Sequence, residues 1–331
     1  MKKIKVLACA GLVASLFFSQ QTMAVNMANA GWYLHLDVQK VRNSDISKIV
    51  DKHDGDVQDF LDKVLGHEMN QQMKQLTVYG EKQENKDITV LIQGGFTNSA
   101  KQVFFSNVQK AKDYSATKLA GQLVHQWLFD GMVYSNNKDN YAVVDENNYQ
   151  KNGEDHDKEV ASIKMGKNDK PIRLYATEID KSLVVISTDI DEVKSWIKGV
   201  YSEKQLKREG VLTVVVNLDK AMAHGSIDFD KNNMDMGFDS NIMKKVNQLS
   251  FSVAELKDSM HVEVGMVTKD EKVAQQVKNI VNGLLALKSL SEDNLDDEVK
   301  PFLDGLNVNI DGVNVLLTSD ISISDVNKML D

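Results

Sequence analysis

The best arrangement of metal-ligating side chains is an acidic stretch in the second half of the chain. Counted from Asp228 as position 1, the residues Asp230, Asn232 and Asp239 supply side-chain oxygens at positions 3, 5 and 12. This is the ligand spacing of an EF-hand calcium loop. Two features depart from that pattern, since Asn233 occupies the position of the turn glycine and Asp239 is shorter than the usual bidentate Glu. The sequence therefore allows either a calcium site or a solvated acidic loop.

Histidine and cysteine offer no comparable metal pattern. His67-Glu68 begins like the H-E-x-x-H zinc motif, but Gln71 stands where the second histidine is needed. The single cysteine, Cys9, lies in the N-terminal segment, so the rest of the chain has no thiol for a disulfide, a zinc site or nucleophilic catalysis. The sequence predicts no zinc hydrolase and, calcium apart, no cofactor.

Other catalytic and nucleotide-binding motifs are missing from the sequence. It has no G-x-S-x-G nucleophile elbow, no P-loop and no G-x-G-x-x-G fingerprint. Gly94-Gly95 follows a predicted strand and precedes a predicted helix, which suits an anion-binding helix N-terminus or a plain strand-to-helix turn. We favour the turn. A dispersed carboxylate site is compatible with the sequence, so enzyme activity stays open, with a non-enzymatic role favoured.

A polar insert at residues 134–170 is the most loop-like part of the chain. Residues 132–134 and 141–144 are predicted to pair as a hairpin, followed by a long loop. Because long loops often carry recognition, the insert is either a partner-binding arm or a plain surface loop.

The elements around these residues follow an internal repeat. Five blocks recur in the same order: 32–37 with 214–219, 74–78 with 247–251, 87–92 with 259–264, 179–190 with 310–321, and Pro171 with Pro301. Such an ordered series predicts a duplication. The predicted domains are 25–202, which includes the insert, and 210–331.

Hydrophobic periodicity assigns elements within each repeat. Met260, Val262 and Val264 alternate with polar residues, which predicts a strand, and residues 255–258 predict a hairpin turn before it. Helical spacing of apolar residues predicts helices after Asp270 and over 115–129. The expected fold class is α+β, with two tandem similar repeats, each a mainly antiparallel sheet with helices packed on one face.

The N-terminus has the pattern of a secretory signal. Lys2, Lys3 and Lys5 precede an apolar run, and a small-x-small site predicts cleavage after Ala24, with Ala30 as the alternative. Loss of the three lysines changes the net charge of the chain from −9 to −12. An acidic surface disfavours binding to nucleic acid. No later stretch reaches transmembrane length, so the sequence predicts a soluble periplasmic protein, with secretion as an alternative.

The chain resembles exported proteins of Gram-negative bacteria that are built from tandem α+β repeats. These often open with a hydrophobic strand ending in Asp, as Leu34-His35-Leu36-Asp37 does here. The resemblance covers most of the mature chain and implies no activity, so no functional residue follows from it. We therefore expect a non-enzymatic binding or interaction module for a protein or envelope component, with a calcium-responsive protein as the alternative. A duplicated core predicts a groove or a pseudo-twofold face between its halves as the docking site.

Overall fold

The computed structural model describes an α+β fold with one large antiparallel sheet and several helices. It describes residues 30–45, 47, 61–62, 64–80, 87–129, 132–135, 160–163, 171–200, 210–223, 240–290 and 300–330. The predicted signal segment at 1–24 and the acidic loop at 228–239 lie outside these residues, as does most of the insert.

Fourteen strands are found in the described residues. They are β1 (Trp32–Leu36), β2 (Met73–Gly80), β3 (Ile88–Gly94), β4 (Ser115–Leu119), β5 (Gln122–Phe129), β6 (Met132–Ser135), β7 (Val160–Ile163), β8 (Ile172–Asp180), β9 (Leu183–Ser187), β10 (Leu212–Asn217), β11 (Val246–Leu256), β12 (Ser259–Thr268), β13 (Asn307–Asp311) and β14 (Asn314–Ser322). Twelve form one sheet in the order β13-β14-β12-β11-β10-β1-β2-β3-β9-β8-β5-β4, and β6 pairs with β7 in a separate sheet.

The helices connect these strands or follow them. They are α1 (Val38–Arg42), α2 (His67–Gln72), α3 (Asn98–Val108), α4 (Ile190–Ile197), α5 (Leu218–Ala223), α6 (Ser240–Met243), α7 (Glu271–Leu290), α8 (Lys300–Asp304) and α9 (Ile323–Leu330). The predicted helix after Asp270 is confirmed as α7, and the Asp270 side chain accepts a hydrogen bond from the Val273 N–H at 2.9 Å. This contact satisfies one of the free N–H groups of the first turn.

Strands β1 and β10 pair antiparallel in the middle of the sheet and join its two halves. We call the described residues up to Val200 the first half and those from Gly210 the second half. Outward from the centre, the first half runs β1-β2-β3-β9-β8 and then β5-β4, whereas the second half runs β10-β11-β12-β14-β13. The halves therefore share one continuous sheet, with the same order of long-range pairings in each.

Alternating side chains give the sheet two faces. In the first half, Ile92 and Val184 lie on one face and pack in a buried cluster with Phe104 of α3. Leu91 and Val185 lie on the opposite face, in the other large cluster of the core. Because successive side chains of a strand point to opposite faces, neighbouring residues of one strand lie in different clusters.

Helix α4 covers the second of these faces. Trp196 of α4 donates its indole N–H to the hydroxyl of Tyr79 on β2 at 2.7 Å, and the Tyr79 hydroxyl donates to Glu192 at 2.7 Å. Tyr79 and Trp196 are both buried. The expectation that helices pack on one face is therefore too simple, because α3 and α4 lie on opposite faces of the first half.

The predicted helix over 115–129 is wrong, since these residues form the hairpin of β4 and β5. Ala120 and Gly121 make its turn with φ values of +48° and +89°, a left-handed backbone that no helix contains. Val124 and Trp127 are buried on opposite faces of β5, in different clusters of the core, so they do not lie on one helical face. The helix was predicted from the spacing of apolar residues alone, and that spacing does not reveal the turn at Ala120 and Gly121.

The start of the insert also differs from its prediction. Strand β6 pairs with β7, with Met132 opposite Ile163 and Ser135 opposite Val160. The predicted partner segment, 141–144, lies outside the described residues. The strand that pairs with β6 is therefore much more distant in sequence than the predicted hairpin partner.

Candidate functional site

The four predicted calcium ligands lie outside the described residues. Asp228, Asp230, Asn232 and Asp239 fall between α5 and α6, which are described. Calcium binding by this loop stays a prediction. Within the described parts of the chain, no group of three or more His, Cys, Asp or Glu residues is arranged to hold a metal ion.

A cleft lies between the two halves, at the end of the central strands. Its volume is about 650 Å³. The first half supplies α1 with its N-cap and the turn after it, while the second half supplies the two residues before β10 and the end of the β11–β12 hairpin. The lining residues are Asp37, Gln39, Lys40, Asn43, Ser44, Gly210, Val211, Ala254, Glu255 and Lys257. These residues meet because β1 pairs with β10, which no local sequence pattern indicates.

The two acidic groups of the cleft already have partners. Asp37 caps α1 by accepting the Lys40 N–H at 2.9 Å, and the Lys40 ammonium lies 3.5 Å from the same carboxylate. Glu255 accepts the backbone N–H of Asp45 at 2.9 Å. Each carboxylate thus accepts a hydrogen bond from the chain itself, and the charge of Asp37 is also paired with that of Lys40.

The same contacts hold the halves together. Lys40 donates to the Gly210 carbonyl at 3.2 Å, and the Asp37 N–H donates to the Val211 carbonyl at 2.8 Å. The contact of Asp45 with Glu255 also crosses from the first half to the second. The cleft is therefore framed by inter-half hydrogen bonds.

Three polar side chains of the cleft are available to bind a ligand. Gln39 and Asn43, on and just after α1, and Lys257, in the β11–β12 turn, make no side-chain hydrogen bond or ion pair with the described residues. They offer two carboxamides and one ammonium. A ligand with acceptor oxygens, such as a carboxylate, matches these donors.

A second polar group lies on the sheet of the second half. His261 on β12 contacts Asp320 on β14 through Nδ1 at 2.6 Å and Glu263 through Nε2 at 3.4 Å. The Ser252 hydroxyl lies 3.4 Å from the other oxygen of Glu263. Both ring nitrogens face carboxylates, so the imidazole bridges two acids and does not activate the serine as a base would. The alternating pattern of β12 indicates that His261 lies on the polar face of the strand. Its contact with Asp320 could not be predicted, because the two residues are distant in sequence.

His261 should make folding stability depend on pH. Burial lowers the pKa of His261, but Asp320 and Glu263 outweigh it and raise the pKa above the ordinary 6.5. Its stabilising contribution is then complete below about pH 6.5 and is lost as the pH rises through the raised folded-state value. We expect the melting-temperature difference between the wild type and His261→Gln to be largest in acid and to shrink above neutral pH.

His125 is the control for this prediction, because its pKa is shifted in the opposite direction. Burial lowers the pKa of His125, which stacks on Phe105 and contacts the Tyr114 hydroxyl. NMR titration of the imidazole signals should therefore place His261 above 6.5 and His125 below it. Equal values, or the reverse order, would contradict the roles of Asp320 and Glu263.

The turn at Gly94-Gly95 leads into α3, whose N-terminus already holds an anion from the chain itself. Glu68 of α2 accepts hydrogen bonds from the Thr97 hydroxyl at 2.7 Å and the Ser99 hydroxyl at 2.9 Å. These contacts lower the pKa of Glu68. The structure thus fits the strand-to-helix turn, with Glu68 as the negative group at the start of the helix.

Comparison with known proteins identifies no family. No protein-family model matches the chain, and no curated protein is significantly similar in sequence. Among solved structures, crystal forms III and IV of TP0453 share 9% sequence identity with the chain. They match 94% of this chain and 98% or 97% of TP0453, with TM-scores of 0.43 and 0.45. None of the described helices is long and apolar enough to cross a membrane.

Proposed function

We propose that this chain is an exported, non-enzymatic binding module whose partner docks in the cleft between its two halves. The observation that carries the proposal is the cleft itself, which both halves line and inter-half hydrogen bonds frame. The partner is a protein or another component of the cell envelope. Export rests on the N-terminal sequence, with its basic start, apolar run and cleavage site at Ala24.

A tandem duplication accounts for the position of the cleft. Leu34 pairs with Val78 in the first half, and Val214 pairs with Phe251 in the second. If Val78 and Phe251 are equivalent, as the repeat predicts, then Leu34 corresponds to Val214. These two residues lie opposite each other in the β1–β10 ladder, so the ladder is the junction of the repeats, and the cleft lies at one end of it.

Two local features support the same alignment. It makes Asp37 equivalent to Asn217, and these side chains accept the N–H groups of Lys40 and Lys220, respectively, each three residues on. The hairpins β2–β3 and β11–β12 also carry an irregularity at the same place, beside Met73 and Val246. Both halves thus have a strand-to-helix turn with a side-chain cap, and that of the first half lines the cleft.

The free groups of the cleft indicate the chemistry of the partner. Lys257 is a cation without an ion pair among the described residues, and it shares the cleft with the carboxamides of Gln39 and Asn43. Charge-assisted hydrogen bonds from an ammonium favour an anionic acceptor. We therefore propose that the docking element presents a carboxylate or a similar oxygen-rich group.

Photo-crosslinking in the cell envelope tests this function. We expect a benzophenone amino acid at position 39 to capture a specific partner, and the yield to fall when Lys257→Glu is added, because like charges then meet. A benzophenone at Thr117, on the far edge strand β4, is the matched control. Equal capture at both positions, or capture that ignores Lys257→Glu, would contradict docking in the cleft.

A further inference from the structure

The described sheet ends in two edge strands of different character. At one end, every residue of β4 except Leu119 is exposed, and Lys118 stands near its middle. A lysine on an edge strand discourages the addition of another strand, since pairing would bury its charge. At the other end, β13 has the sequence Asn-Val-Asn-Ile-Asp, with no lysine and no proline.

Strand β13 also has the one-sided pattern of a strand inside a sheet. Val308 and Ile310 are half-buried against the core, while Asn307, Asn309 and Asp311 are exposed. Helix α7 packs across β12, β14 and β13. An added strand would therefore find an apolar face and a polar face that continue those of the sheet.

In the first half of the sheet, the strand at the position that corresponds to β13 already has an outer neighbour. Strand β8 follows β9 in the sheet order as β13 follows β14, but β8 is not an edge, because β5 pairs along its outer side. In that ladder, His125 lies opposite Ala176 and Trp127 lies opposite Leu174. The second half has no described counterpart of β5, so the corresponding side of β13 is open in the described part of the chain.

We propose that β13 pairs with β13 of a second copy of this chain, antiparallel, about a twofold axis at Asn309. In this register Val308 faces Ile310 of the second copy, and Asn307 faces Asp311. The apolar residues then meet on one face and the polar residues on the other, with no like-charged pair opposite each other. A twofold interface requires this kind of self-complementarity, and the sequence of β13 has it.

The expected dimer is weak and depends on concentration. A ladder of five residues extends for roughly 17 Å, and its interface lies at the small end of specific protein interfaces. The two sheets would continue into one another through the dimer, while both β4 edges stay free.

Sedimentation velocity over a concentration series tests the pairing. Asn309→Lys places two ammonium groups opposite each other across the axis, so we expect the dimer dissociation constant to rise about fivefold or more. Asn309→Glu should weaken the dimer in the same way, and mixing the two variants should restore it as a heterodimer. Asn309 is exposed, so circular dichroism should show unchanged folding of both variants.

Thr117→Lys on β4 is the matched control and should leave the dimer unchanged. A wild-type chain that stays monomeric at every concentration would overturn the proposal and leave β13 to a different partner. A dimer that Asn309→Lys does not weaken, or that the mixed variants do not restore, would also overturn it.

Discussion

Gly210→Ala should lower the free energy of unfolding by more than about 3 kcal/mol. Gly210 has a φ of +72°, and a Cβ placed on it would lie 2.2 Å from the carbonyl oxygen of Val253. That oxygen already accepts the Val211 N–H at 2.7 Å, so the chain cannot move aside without opening the β10–β11 ladder. Chemical denaturation of the purified protein measures the effect.

Gly199→Ala separates the clash from the cost of the backbone conformation. Gly199 has a similar φ of +69°, but nothing lies within 4 Å of its added Cβ. This variant should lose only the left-handed penalty, about 1–2 kcal/mol. Equal losses for the two variants would show that the close approach of Gly210 to the Val253 carbonyl is looser than the structure describes.

Tyr79→Phe should destabilise the protein by about 2–3 kcal/mol. The change removes the hydrogen bonds of the Tyr79 hydroxyl with Trp196 and with Glu192, each 2.7 Å long, and these hold α4 on the sheet. Burial and the Glu192 carboxylate raise the pKa of Tyr79 far above its ordinary value, so the hydroxyl donates throughout the pH range of folding. The loss should therefore not vary between neutral and moderately alkaline pH.

Tyr175→Phe is the control for the hydroxyl itself. Tyr175 lies on the same face of the sheet, on β8, and its hydroxyl makes no hydrogen bond with the described residues. We expect its removal to change the free energy of unfolding by less than about 0.5 kcal/mol. A similar loss in both variants would contradict the role of the Tyr79 network.

Much of the fold could be predicted from the sequence, but its register could not. The predicted repeat matches Asp37 with Asp219. The proposed equivalence of Val78 and Phe251, which pair with Leu34 and Val214, would instead align Asp37 with Asn217. A slip of two residues leaves each side chain on the same face of a strand, so alternation does not detect it. The helix caps distinguish the two alignments, because only Asn217 accepts the Lys220 N–H.

The candidate site was predictable only as a location. The predicted repeat indicated a groove or a pseudo-twofold face between the halves, and a cleft is described between them. Its lining depends on the pairing of β1 with β10, which brings Lys40 to Gly210 and Asp45 to Glu255 across long stretches of sequence. Such contacts leave no periodic pattern in either segment. The contacts of His261 could not be predicted for the same reason, since Asp320 lies on a different strand.

Native mass spectrometry of the protein, isolated gently from the cells that naturally produce it, tests docking in the cleft. We expect a species heavier than the bare chain by the mass of the partner. Lys257→Glu should abolish this species, while Lys118→Glu on the β4 edge leaves it intact. A wild-type spectrum that shows only the bare chain and its oligomers, or a bound mass that survives Lys257→Glu, would contradict docking in the cleft.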